Sequence, residues 1–177
     1  GGFTGINNSG TISFAVNINN NKIGDALGNA INLSAAAISG FVRGINNTTT
    51  AGTTADLSIS GNNFQGFVQT TAAPTEYVLI ECLRQGTVPG INNINNNTFT
   101  NLVTNTSGNV TFITRTGPMT LNAGVIDNCN DNRIVTAYSK PVAGGTVTLY
   151  NCVSPSNGGI GNIMNQTRNN FSNITLT

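Results

Sequence analysis

Five asparagines recur along the chain, each two residues before a large apolar residue. They are Asn21 before Ile23, Asn62 before Phe64, Asn97 before Phe99, Asn132 before Ile134, and Asn169 before Phe171. The intervals between them are 41, 35, 35 and 37 residues. Three residues upstream stand Ile18, Ile59, Ile94, Cys129 and the misfit Gln166; five residues downstream stand Ala26, Phe67, Leu102, Ala137 and Ile174. The unit is apolar-x-x-Asn-x-apolar-x-x-apolar. A unit of this length cannot bury its apolar row alone, only against the next copy, so a chain built this way folds as a solenoid.

A corner asparagine has two physical merits. It tolerates left-handed backbone angles better than any other non-glycine residue. Its amide carries both a donor and an acceptor, so a column of such residues can hydrogen-bond from layer to layer. Glycine could turn the corner but not make the ladder. The structural ladder is therefore expected at Asn21, Asn62, Asn97, Asn132 and Asn169, beside a core stack of Ile23, Phe64, Phe99, Ile134 and Phe171. At a layer spacing of about 4.8 Å, the rings of Phe64 and Phe99 fall at stacking distance. Replacing Asn97 by alanine is expected to cost about 1 to 3 kcal/mol, from a lost buried amide bond and a strained corner.

Between the asparagine units lie alternating runs with strand chemistry: 11–18, 30–33, 55–59, 76–83, 109–114 and 145–150. Each sets β-branched or aromatic residues against small polar ones and is bounded by Gly, Asn, Pro or Ser. About three short strands per period are expected. Helical spacing is scarce; residues 24–37 could hold a turn or two, against which Gly28 and Asn29 argue. The long first interval is assigned to a protruding loop at Thr48–Thr54.

These features resemble right-handed parallel β-helix proteins, which share the apolar-x-x-Asn-x-apolar corner, an internal asparagine ladder and loops of variable length. Ile59-Ser60-Gly61-Asn62-Asn63-Phe64-Gln65-Gly66-Phe67 and Ile94-Asn95-Asn96-Asn97-Thr98-Phe99-Thr100-Asn101-Leu102 carry the resemblance. It implies an all-β fold, a right-handed parallel β-helix of about five coils over a single domain 1–177, with residues 1–10 as an N-terminal linker or cap. Runs such as Gly44-Ile45-Asn46-Asn47-Thr48-Thr49-Thr50 resemble repeats of very large secreted or surface proteins of Bacteroidota-like bacteria. That second resemblance implies an extracellular location.

Composition narrows the functions. Charged residues make up 7% of the chain, the formal net charge is +1, and there is no His and no Trp. Seven scattered basic residues do not make the clustered Lys and Arg that nucleic acid requires. No apolar run approaches the 18 or more residues of a membrane-spanning helix, and Gly1 to Thr4 do not read as a signal peptide. Thr177 follows closely on the last repeat, as in a piece of a longer array. The three cysteines, Cys82, Cys129 and Cys152, cannot all pair. Cys129 takes an apolar column position, and Cys82 and Cys152, about two periods apart, fall on one face two layers apart, too distant for a disulfide.

Candidate chemistry is sparse. The six acids, Asp25, Asp56, Glu76, Glu81, Asp127 and Asp131, form no column. Asp127 to Asn132 resembles the opening of a calcium loop, but Cys129, Asn132 and Tyr138 stand where ligands or glycine belong. No catalytic residue, metal or cofactor is expected, and a histidine base is excluded outright. Tyr77, Tyr138 and Tyr150 could stack on sugars, although tyrosines in strands are more often partly buried. The expected role is non-enzymatic: a structural module of an extracellular filament, stalk or surface adhesin. Its partners would be copies of itself, adjoining repeats of a longer chain, or surface glycans, with neither nucleic acid nor membrane insertion. Two alternatives are a carbohydrate-binding or polysaccharide-degrading β-helix, and a pilin-like β-sandwich polymerising by strand exchange.

Overall fold

The computed structural model describes residues 2–10, 12, 14–27, 31–34, 40–48, 56–83, 90–116, 124–153 and 163–176. Its described elements are all strands, and each period passes through four faces rather than three. The first face is β1 (Phe3–Asn8), β5 (Phe41–Asn47), β9 (Glu76–Leu83), β13 (Val110–Thr116) and β17 (Val147–Val153). The second is β2 (Ala15–Asn17), β6 (Asp56–Ser58), β10 (Ile91–Asn93), β14 (Ile126–Asn128) and β18 (Ile163–Asn165). The third holds β3 (Lys22–Gly24), β7 (Asn63–Gln65), β11 (Thr98–Thr100) and β15 (Arg133–Ile134), and a single bridge to Asn170 extends it. The fourth is β4 (Ile31–Leu33), β8 (Phe67–Ala73), β12 (Val103–Thr106), β16 (Tyr138–Lys140) and β19 (Ile174–Leu176).

Every described strand pair is parallel and joins one layer to the next. The chain is therefore a parallel β-solenoid of about four turns, the four intervals that separate five stacked asparagines. An antiparallel sandwich is incompatible with this pairing. Phe3–Asn8, expected in a linker or cap, pairs in register with β5 as the outermost strand of the first face.

The apolar columns lie inside. Ile59, Ile94 and Cys129 are buried, as are Phe64, Phe99 and Ile134. Phe64 and Phe99 stack at 5.2 Å with ring planes 18° apart, one layer above the other. Phe112 closes the column edge-on, 5.0 Å from Phe99 and 5.1 Å from Tyr138. Gly44, on the first face, makes room for this column: a methyl group there would overlap the Phe64 ring and the Leu79 carbonyl.

Two expected core positions are occupied by other residues. Ala26 and Ala137 are exposed. Ile31 pairs with Phe67 in place of Ala26, and Tyr138, not Ala137, is the buried residue paired with Ile174. The larger side chain fills the interior better, and one or a few extra residues bulge outward to let it. The same register corrects the long first interval. Gly24 and Ile31 are seven positions apart, yet their partners Gln65 and Phe67 are two apart, so five extra residues lie between β3 and β4. The sixth lies between β4 and β5, because Leu33 and Val42 are nine apart and their partners Gln69 and Tyr77 eight. The strand pairs on either side of the expected Thr48–Thr54 loop keep one 35-residue offset, Asn47 to Cys82 and Leu57 to Asn92; residues 49–54 lie outside the described set. The residues of 24–37 that are described form β3, a turn and β4, not helix.

Candidate functional site: the asparagine column and its outer corner

The five asparagines stack in a continuous hydrogen-bonded column. The Oδ1 of Asn62 accepts from both the backbone N–H and the Nδ2 of Asn21, each at 3.0 Å. Asn97, Asn132 and Asn169 accept in the same way from Asn62, Asn97 and Asn132. In all but Asn21, whose Nδ2 bonds the Asn19 carbonyl, the Nδ2 also donates to the carbonyl of the apolar residue that precedes the asparagine one layer back. Asn62 reaches Ile18, Asn97 reaches Ile59, Asn132 reaches Ile94 and Asn169 reaches Cys129, at 2.7 to 2.9 Å. One side chain thus ties three layers together, and Asn62, Asn97 and Asn132 are fully buried with their amides saturated.

The left-handed turn belongs to the preceding residue. Positive φ occurs at Asn20 (58°), Gly61 (69°), Asn96 (57°), Asp131 (59°) and Arg168 (56°), each immediately before a ladder asparagine. The two merits credited to a single asparagine are divided between neighbours: one residue turns the chain, the next makes the ladder. The signal was present in the sequence. Four of those five positions hold Asn, Gly or Asp, the types that tolerate this conformation.

On the outside of that corner lies a depression of about 330 Å³ lined by Asn96, Asp131, Arg133, Arg168 and Asn170. Arg168 grips Asp131 of the layer before with a two-pronged contact, Nε to Oδ1 at 2.7 Å and Nη2 to Oδ2 at 2.6 Å. That hydrogen bond, reinforced by the charges of Arg168 and Arg133, holds the Asp131 carboxyl below its usual range. Adjacent layers bring Arg133 and Arg168 together here, a meeting that one repeat read alone does not reveal.

Asp127 lies elsewhere. Its side chain is 5% exposed and faces inward, with Oδ2 2.7 Å from Nε of Arg115, itself 2% exposed. Neither atom has an aligned hydrogen bond, so the contact is ionic, while Asn92 donates to the other oxygen of Asp127 at 2.5 Å. The two acids of the calcium-like segment therefore point to opposite sides of the wall, each held by an arginine. Arg115 also separates the thiols. On the first face Cys82 pairs with Arg115 and Arg115 with Cys152, which places the two cysteines two layers apart, and all three thiols are free.

Of the three tyrosines, Tyr150 is partly buried and the other two are withdrawn from the surface. Tyr77 and Tyr138 are buried, donating to Gln69 Oε1 and paired with Thr104 Oγ1 respectively, both at 2.7 Å. Burial pushes the Tyr138 hydroxyl up to about 12, partly offset by Thr104. Burial likewise raises Cys129 to about 12, with the charges of Asp127 and Cys152 adding to it. No described helix is long and apolar enough to cross a membrane. Comparison with known protein families, curated proteins and solved structures finds no match to this chain.

Proposed function

We propose that the chain is a non-catalytic structural module of an extracellular filament, stalk or surface adhesin, stacking on copies of itself or on adjoining repeats of a longer chain. The polarity of the ladder is the observation that carries this reading. Every bond from one ladder asparagine to the next points the same way, from Asn21 toward Asn169, while the remaining Nδ2 protons return to carbonyls of the layer behind. At one end of the stack the backbone N–H of Asn169 has no partner among the described residues, and at the other end the same is true of Asn21 Oδ1. Among the described residues, the outermost strands, β1 to β4 on one side and β17 to β19 on the other, each have one strand neighbour. Complementary, non-identical ends favour head-to-tail growth, which does not close on itself. The extracellular placement rests on the resemblance of the Thr-rich runs to large bacterial surface repeats.

Sedimentation and electron microscopy of the purified chain over a wide concentration range test the proposal. Head-to-tail stacks that lengthen with concentration are expected, and Met164→Pro in β18 should suppress them by blocking one edge. A chain that stays monomeric throughout, or that associates equally well with this substitution, contradicts it.

A further inference from the structure

Four basic side chains are matched to acids among the described residues: Lys22 with Asp25, Arg43 with Glu81, Arg115 with Asp127, and Arg168 with Asp131. Lys140 is engaged by the Val142 and Gly144 carbonyls. Arg133 is the exception. The residue is exposed, its side chain makes no salt bridge or hydrogen bond among the described residues, its charge reaches Asp131 only through space, and it lines the corner depression beside the Asp131–Arg168 pair. The three charged groups of the depression sum to one positive charge.

The rest of the lining decides what that charge can hold. Arg168 uses Nε and Nη2 on Asp131, which leaves the N–H groups of Nη1 to donate outward. The Asn96 amide has no described partner, and Asn170 uses its Oδ1 on Ser172, keeping its Nδ2 free. The lining contains no apolar side chain. A hydrophobic peptide would gain nothing here, whereas a small carboxylate flanked by hydroxyls finds a planar cation and amides that donate and accept. The backbone supports this placement. Arg168 holds φ at 56°, at a corner where the other layers use Asn, Gly or Asp, a conformation costly for a long side chain.

We infer that the outer corner formed by Asn96, Asp131, Arg133, Arg168 and Asn170 is a binding site for the carboxylate of an acidic polysaccharide, one uronate residue at a time. Arg133 supplies the open guanidinium, Arg168 is oriented by Asp131, and the two asparagines meet the ring hydroxyls. This site stands apart from the stacking proposal, because its residues lie on the outer wall and not in the ladder.

Calorimetric titration at low ionic strength tests it, using a short 1,4-linked uronate oligosaccharide, its neutral carboxyl-reduced counterpart and an oligoglutamate of similar charge. The uronate should bind, the neutral sugar should not, and raising salt to about 0.5 M should abolish binding of so exposed a site. Arg133→Gln, an exposed change that leaves the ladder untouched, should weaken uronate binding about tenfold or more. Its thermal unfolding should stay unchanged, and Lys22→Gln, remote from the depression, should bind as the parent does. Absence of uronate binding, equal binding of the neutral sugar, equal binding of oligoglutamate, or an Arg133→Gln variant as strong as the parent would each overturn the inference.

Discussion

At the scale of single residues, neighbouring asparagines with the same side chain do different work. Asn96 turns the chain with φ at 57°; Asn97 saturates a buried amide shared with two other layers. Glycine should therefore replace Asn96 at little cost, within about 0.5 kcal/mol, because it adopts the left-handed region freely. In place of Asn97 it should cost about 2 to 4 kcal/mol, since the N–H and Nδ2 of Asn62 and the Ile59 carbonyl lose partners in a site closed to water. Chemical denaturation of the two variants checks this directly; equal losses would mean that the corner and the ladder are not separate. Arg115 offers a second residue-scale test. Removing it alone, as Arg115→Met, leaves the Asp127 charge buried and should cost about 3 to 5 kcal/mol, whereas pairing it with Asp127→Leu should recover most of that loss. A double variant no better than the single one would show that the pair does more than neutralise itself.

At the scale of the elements, packing overrules spacing wherever the two disagree. Counting five residues on from each asparagine predicts Ala26 and Ala137 as core, but the wall prefers Ile31 and Tyr138 and lets the small residues bulge out. A fixed-offset reading could not foresee this, because a parallel ladder registers strand against strand and not loop against loop. Strands of strong alternation, such as Glu76–Leu83, were legible to the residue. The fourth face was legible only at its first strand, where run 30–33 marks β4, since later strands carry small polar residues, as in Val103–Thr106. Arg115 was illegible for another reason. Its inward position is compatible only with Asp127 on the neighbouring face, a pairing that one strand read alone does not reveal. Strand β5 has its own constraint at Gly44. Gly44→Ala should destabilise by about 1 to 3 kcal/mol, as overpacking against Phe64 and the Leu79 carbonyl. A fluorescence or circular-dichroism melt reads that loss, and a parent-like melt would show that the wall yields there.

At the scale of the whole molecule, stability comes from stacked layers that bury few charges and saturate the amides of the ladder. Its pH limits follow from the groups that burial keeps neutral. The Tyr138 hydroxyl and the Cys129 thiol both rise to about 12 in the fold, from usual values of 10.0 and 9.0. Tyr77 is raised by burial and by Tyr138. For acids held neutral the sign is clear. Their contribution is complete below the unfolded values and declines between about pH 9 and pH 12, as the unfolded chain alone sheds protons. The denaturation midpoint should fall across that window, and Tyr138→Phe should flatten the fall; a midpoint unchanged to pH 12 would contradict the burial. The asparagine column remains the central claim, and side-chain amide hydrogen exchange by NMR reaches it most directly. The Nδ2 protons of Asn62, Asn97 and Asn132 should exchange only with opening of the stack, orders of magnitude more slowly than those of Asn96. Exchange of Asn97 as fast as that of its neighbour would contradict the ladder.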